Sequence, residues 1–167
     1  MIIKDSMVLI HLAKITLLEK SCEYFKKIVI GEEVYKEILE GKEKGYPDVE
    51  IIEKAIKNMG IDVKKVKDIK LLEKAKNYNL QGGEMESVAL YWQEKADYLA
   101  SDDDNVRKKA AVLNIKLIGT PSIILNLYKY KIIGRDKFVS GVLELKKIGW
   151  FNNSVIDKLI LETRKDE

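Results

Sequence analysis

The sequence predicts an α/β fold, a mostly parallel central sheet covered by helices on both faces. Three observations carry this. Short apolar runs (MIIK, KIVI, IDVKKV, DYLAS, KLIGT) alternate with longer segments whose apolar residues recur at helical spacing. Glycine or proline marks many of the junctions between them. No internal repeat, low-complexity segment or linker interrupts the alternation. Strands separated by helices mean βαβ units, and such sheets bind ligands at the carboxyl ends of their strands.

The elements follow in order. MIIK is a first strand ending at Asp5. Residues 7–24 carry Leu9, Leu12 and Ala13 at helical spacing, with a break near Ile15 and Thr16. KIVI (27–30) reads as a buried strand. EEVYKEILEGKEKG is a helix that stops at Gly41 or Gly45. PDVEIIEKAIKNMG opens with proline and closes with glycine, the usual asymmetry of helix ends. IDVKKV is a strand and IKLLEKAKNYN a helix. GGEMESVALYWQEKA is a helix begun by glycines, and from Ser87 to Trp92 it carries no charge on any side, so it is buried nearly all round. DYLAS is a strand, NVRKKAAVLNI a helix, KLIGT a strand, and PSIILNLYKYKI a helix with proline in its first turn. Two further helical patterns surround Gly149.

A chain of 167 residues predicts one domain spanning 1–167, with the helices from about 137 packed as part of it. With 46% hydrophobic and 34% charged residues it belongs with folded proteins rather than disordered ones. A net charge of +3 and a pI near 8.7 permit a polyanionic partner. A single cysteine, Cys22, excludes an internal disulfide and a cysteine-based zinc site. A single histidine, His11, argues against a histidine-rich metal site and a catalytic triad. No apolar stretch approaches the roughly 20 residues of a membrane span, so the expected location is the cytoplasm and no membrane partner is expected.

The acids then fall into place. Asp5 ends the first strand, and the triple aspartate Asp102, Asp103, Asp104 ends a later one. In a parallel sheet those ends share an edge. Glu37 sits inside the helix after the second strand, between the core-facing Val34 and Ile38. Glu84 and Glu86 open the buried helix. Each has a plainer explanation. Asp5 could simply end a strand, with Ser6 capping the next helix. Glu37 could pair with Lys36 or Lys42 on a solvated face. Glu84 and Glu86 would suit a helix dipole, and one of the aspartates would suit a helix N-cap. Only a shared function links all four places.

Four or more carboxylates in contact cannot all stay ionised at neutral pH without a cation. Oxygen donors without nitrogen or sulfur suit Mg²⁺ or Mn²⁺. Such an ion activates water and stabilises phosphoryl charge, so the residues point to a metal-dependent phosphodiesterase with water as nucleophile. Arg107, Lys108 and Lys109, directly after the aspartates, would contact a nucleic-acid backbone, or else form a solvated basic face.

The ordered set KDSMVLIHLAKI, EEVYKEIL, GGEMESVALYW, YLASDDDNVRKKA and KLIGTPSIILNLYKYKII resembles the PIN-domain ribonucleases. It is most similar to the stand-alone prokaryotic branch with a Gly-Glu-x-Glu helix and an Asp-Asp turn followed by arginine. The resemblance runs from Met1 to about Leu161. It implies a three-layer α/β/α fold and a Mg²⁺- or Mn²⁺-dependent site that cleaves RNA. It also implies frequent homodimers and kinship with VapC-type toxins that a small antitoxin neutralises. Carried over, Asp5, Glu37, Glu86 and Asp102 would be catalytic and metal-ligating, with Glu84 and Asp104 as further metal ligands. The last acid stays open: the toxin pattern selects Asp103, counting from Glu86 selects Asp104, and the branch pattern selects Asp102, taken first with Asp104 second. The family's usual proline before the Glu37 helix is replaced here by GEE.

Competing classes make their own demands. A receiver-type phosphoacceptor domain would want an acidic pair at the end of strand one, where KDSM supplies one acid. A haloacid-dehalogenase-type phosphatase would want aspartate where Met7 stands. A catalytically weak PIN module binding RNA or protein is the remaining alternative, although every acid is kept. Trp150, Phe151, Tyr128 and Tyr130 are large aromatics for closing helices, which suggests a self-association surface, unless they pack the tail onto the sheet.

Overall fold

The computed structural model describes residues 1–148 and 151–166. Five strands form one parallel sheet: β1 (Ile2–Lys4), β2 (Ile28–Gly31), β3 (Ile61–Lys64), β4 (Tyr98–Ala100) and β5 (Leu117–Ile118), in the order β3-β2-β1-β4-β5. The chain builds outward from β1 through β2 to β3, then returns to the other side of β1 for β4 and β5. The order therefore reverses at β1, and the carboxyl ends of β1 and β4 are the edge at which sheets of this kind bind ligands.

Ten α-helices cover the sheet among the described residues: α1 (Ser6–Lys14), α2 (Leu18–Phe25), α3 (Glu32–Glu43), α4 (Asp48–Asn58), α5 (Ile69–Lys76), α6 (Gly82–Glu94), α7 (Asp104–Lys109), α8 (Thr120–Lys129), α9 (Arg135–Ile148) and α10 (Asn153–Glu162). The strands alternate strictly. Ile2, Ile28, Ile30 and Ala100 enter a core with residues of α1 to α4 and α8 to α10. Ile3, Val29 and Leu99 enter a second core with α6 and with Ala75 and Val106 of α5 and α7. Both faces are buried, as short parallel strands require, and the result is the expected three-layer α/β/α arrangement. The C-terminal helices share the first core through Phe138, Val142, Leu145, Ile156 and Leu159.

Element boundaries mostly follow the sequence. α1 ends before Ile15 and Thr16, where Thr16 takes a left-handed φ of 57°. The stretch NVRKKAAVLNI is helical only to Lys109. Asn114 adopts a φ of 53°, and the Ile115 N–H turns back to the Ala110 carbonyl, delivering the chain to β5. In α6, Ser87 to Leu90 are fully buried and Tyr91 and Trp92 half-buried. Of the aromatics expected at an interface, Tyr128 stacks on Phe138 and Phe151 lies edge-on to His11, so both pack the closing helices; Tyr130 is exposed, and Trp150 lies outside the described residues.

Lys4 is a lysine where the strand pattern wants an apolar residue. It is wholly buried; Nζ donates to Ser21 Oγ at 2.6 Å and lies 5.3 Å from the centre of the Phe25 ring. Burial pulls its pKa down to about 8, only slightly countered by Cys22. Its folded pKa is thus below its unfolded one, so stability should rise as pH climbs from about 8 towards 10.5. Lys4→Met should remove that slope and stabilise the protein near neutral pH by on the order of 1–3 kcal/mol, the desolvation relief exceeding the lost Ser21 bond. Urea unfolding of both proteins across this window measures it; a variant less stable than wild type at neutral pH overturns it.

Candidate active site

The register of β1 on β4 builds the site. Lys4 pairs with Ala100. Beyond it the Asp5 N–H donates to the Ala100 carbonyl at 3.1 Å and the Ser101 N–H to the Ile118 carbonyl at 3.0 Å. Asp5 therefore leaves the sheet level with Ser101. The buried Ser101 hydroxyl hydrogen-bonds the Asp5 carboxylate and accepts the Asp103 N–H at 3.2 Å. One side chain ties the ends of both strands together.

Asp5, not Ser6, caps α1, accepting the Val8 N–H at 2.9 Å. Its extended backbone places the carboxylate over the open first turn. Ser6 is left free to donate to Glu37 Oε2 at 2.6 Å. Asp5 is only 6% exposed. Burial pushes its pKa up to about 7, with the charges of Asp102 and Asp103 adding to the rise and the Ser101 and Val8 hydrogen bonds opposing it.

Glu37 reaches towards the start of α6, where its Oε1 accepts the Gly83 N–H at 3.2 Å. A Cβ at Gly83 would stand 2.7 Å from that oxygen, so the bare glycine is what permits the approach. Glu84 accepts the Gln81 N–H at 3.0 Å and Asn105 Nδ2 at 3.2 Å on Oε1. Burial raises its pKa, and the neighbouring Asp103 carboxylate adds to this. Asp103 in turn caps α7 through the Val106 N–H at 2.9 Å. Contacts thus run from Glu37 to Ser6, from Asp5 through Ser101 to Asp103, and from Asp103 to Glu84, which adjoins the Gly83 that returns to Glu37.

The other acids have different neighbours. Asp102 is engaged on both oxygens. Oδ1 accepts the Thr120 N–H at 2.7 Å, while Oδ2 accepts the Thr120 hydroxyl and lies 2.7 Å from His11 Nδ1. A carboxylate only accepts, so His11 Nδ1 carries the proton of that contact. Both side chains are buried, and Phe151 closes over the imidazole. Glu86 reaches the N-terminus of α3, accepting the Glu32 N–H at 3.1 Å and the Glu33 N–H at 2.8 Å. That helix begins at Gly31, which has no side chain to cap it; a Cβ there would lie 1.9 Å from Glu86 Oε2. A glutamate from α6 therefore acts as the cap. Burial raises its pKa, although the α3 N–H groups favour its charged form. Asp104 is 84% exposed, 3.8 Å from Arg107 Nε.

Arg107 lies beside Gly119 and the Asp102 carboxylate. An atom placed as Cβ on Gly119 would be 3.6 Å from its Nη2 and 3.0 Å from Asp102 Oδ1. Lys108 is exposed on the same short helix and Lys109 half-buried. Among the described residues, no three carboxylate, histidine or cysteine side chains close on one point as they stand. The donor chemistry nevertheless suits a hard divalent cation: oxygen only, crowded, with Asp5 and Glu84 held above the ordinary carboxylate range.

Ser101, His11, Thr120 and Asn105 are the partners that sequence reasoning passed over. His11 had one signal, a polar residue on the apolar stretch VLIHLA; Thr120 had another, the Gly-Thr pair after the last strand.

A family model described as a PIN domain matches residues 1–165. No curated protein and no solved structure matches the chain.

The raised pKa of Asp5 fixes a sign. The folded state holds this proton more tightly than the unfolded one, so the contribution is full below about pH 3.8 and is lost as pH rises to about 7. With divalent ions chelated, wild type should lose a few kcal/mol over that window relative to Asp5→Asn, at about 1.4 kcal/mol per pKa unit. Denaturant midpoints for the two proteins across the window give the difference; parallel pH profiles would show that Asp5 is not strained in this way.

Proposed function

This chain belongs to the PIN-domain family, whose fold is of nuclease type, and on that premise we propose that it is an endoribonuclease hydrolysing RNA phosphodiester bonds with Mg²⁺ or Mn²⁺ at the carboxyl ends of β1 and β4. The observation that carries the reading is Asp5: a buried carboxylate at the point where the strand order reverses, level with Ser101 and pressed by the Asp102–Asp103 turn. A buried acid with a pKa near 7 and acidic neighbours lacks positive charge, which a divalent ion supplies.

The hydrogen bonds support a division of the acids by role that differs from the expected set of Asp5, Glu37, Glu86 and Asp102. Asp5, Glu37, Glu84 and Asp103 form the connected set and would hold the ion. When bound, the ion supplies charge for the phosphoryl oxygens and makes the attacking water more acidic. Asp102, placed first among the three aspartates by the sequence pattern, anchors α8 through Thr120 and is itself fixed by His11. Glu86 fixes the start of α3, and so the helix that presents Glu37. Arg107 stands over Gly119 where a substrate phosphate would enter, and Lys108 and Lys109 continue that basic surface along the backbone. The reading extends to a homodimer and, through the VapC-type resemblance, to a small antitoxin as partner.

Asp5→Asn, Glu84→Gln and Asp103→Asn should each lower Mn²⁺-dependent RNA cleavage about a hundredfold or more, whereas Asp104→Asn should cleave like wild type. Asp102→Ala should instead unfold at lower denaturant, by about 2–4 kcal/mol, because it orphans Thr120 and His11 together. Mn²⁺ should stabilise wild type by about 2.7 kcal/mol at a hundredfold excess over its Kd and Asp5→Asn far less. Cleavage that is indifferent to chelation, or intact in Asp5→Asn, would overturn the proposal.

A further inference from the structure

α1 has the acid edge at one end and a cavity of about 610 Å³ at the other. Asp5 caps its amino end; Thr16, just past its carboxyl end, lines the cavity, and the nine residues of helix between them span about 14 Å. Leu18 of α2, Ile51 of α4, and Ile132 and Ile133 in the connection between α8 and α9 supply apolar walls. Ile51 is 39% exposed there. The size falls within the ordinary range of small-molecule pockets, about 300–1,000 Å³.

Thr16 is the informative residue. Its φ of 57° is left-handed, a conformation that glycine or asparagine takes readily after a helix and that a β-branched side chain takes only under strain. Strain of this kind persists where surrounding structure imposes it, and it gathers at binding sites. Here the Thr16 hydroxyl accepts a hydrogen bond from Lys137 Nζ on α9. Because the oxygen accepts there, the hydroxyl hydrogen is left to donate to another oxygen. Lys137 is half-buried and pairs with no carboxylate among the described residues, so its charge and its remaining N–H groups are available as well. The other charges at the cavity are already met: Lys20 lies 2.9 Å from Glu23, and Glu19 is exposed to water, which screens it.

We propose that this cavity binds a small amphipathic carboxylate, of the class of a medium-chain fatty acid, with its apolar body against Leu18, Ile51 and Ile132 and its two oxygens on Lys137 Nζ and Thr16 Oγ1. The two donors are held side by side by their own hydrogen bond, which matches the two oxygens of one carboxylate, and the bond to the ammonium is charge-assisted. None of these residues belongs to the acid edge, so the inference stands or falls apart from the nuclease reading.

The probe is octanoate, titrated into the isotopically labelled full chain and followed by amide chemical shifts. 1-Octanol and octylamine, which keep the alkyl chain and remove or invert the charge, are titrated beside it. Octanoate should move the amides of Thr16, Ile51 and Ile132 saturably and bind about tenfold more tightly than 1-octanol. Lys137→Met should lose that tenfold and bind 1-octanol as wild type does. Thr16→Gly should weaken octanoate severalfold yet resist urea at least as well as wild type, because the left-handed strain goes with the side chain. A Cβ at Gly134 would meet nothing within 4 Å, so Gly134→Leu should fill the opening, fold normally and weaken octanoate and 1-octanol together. If octanoate moves none of these amides, or binds Lys137→Met or Gly134→Leu as it binds wild type, the proposal is overturned. If octylamine binds more tightly than octanoate, Glu19 governs the cavity and an anionic ligand is refuted. If Thr16→Gly is less stable in urea and its octanoate affinity is unchanged, the bond from Lys137 to Thr16 is only a strut between α9 and α1, and the proposal is likewise refuted.

Discussion

The pairing of Lys4 with Ala100 is the constraint on which the rest depends. Parallel ladders have a fixed side-chain period, so a one-residue slip would move every side chain of β1 to the opposite face. Ile2 and Ile3 are each wholly committed to a different core, which forbids that slip. With the register fixed, Asp5 must emerge beside Ser101, and Ser101 can join it to the turn that carries Asp102 and Asp103. Both hydrophobic cores therefore set the distance between two carboxylates that never touch them.

Keeping several carboxylates near one edge is costly unless backbone donors share the charge. Here helix starts provide that relief. α1, α7 and α8 direct N–H groups at Asp5, Asp103 and Asp102, and α3 directs two at Glu86. Each interaction also fixes the helix that supplies it, so stability and site geometry come from the same bonds. The compensation is incomplete. Burial holds Asp5, Glu84 and Glu86 above their ordinary values in spite of these donors, and a cation near Asp5 and Glu84 would relieve what remains.

Burial extends this logic behind the site. Lys4 carries a positive charge into the same strand yet finds Ser21 and the Phe25 ring rather than a carboxylate. It faces the layer of α1 and α2, so its neighbour in sequence is not its partner in space. His11, also buried, fixes Asp102 from the inner side of α1. The only histidine in the chain thus holds an aspartate in place and belongs to no histidine cluster.

Periodicity and turn residues determined the fold class, the five strands and most helix boundaries, because both faces of a parallel sheet must be apolar and each strand announces itself as an apolar run. The sequence also placed Asp5 and the triple aspartate at strand ends, since a strand cannot continue through crowded charge. It did not determine which partners Asp102, Asp103 and Asp104 each take, that Asp5 rather than Ser6 caps α1, or that Glu86 serves α3. Neighbouring residues of one type are equivalent in a pattern. They become different only when a turn aims one at Thr120 and His11, the next at Val106 and Glu84, and the third at solvent. The tertiary structure made that choice, because the donors that distinguish the three lie on other elements of the chain.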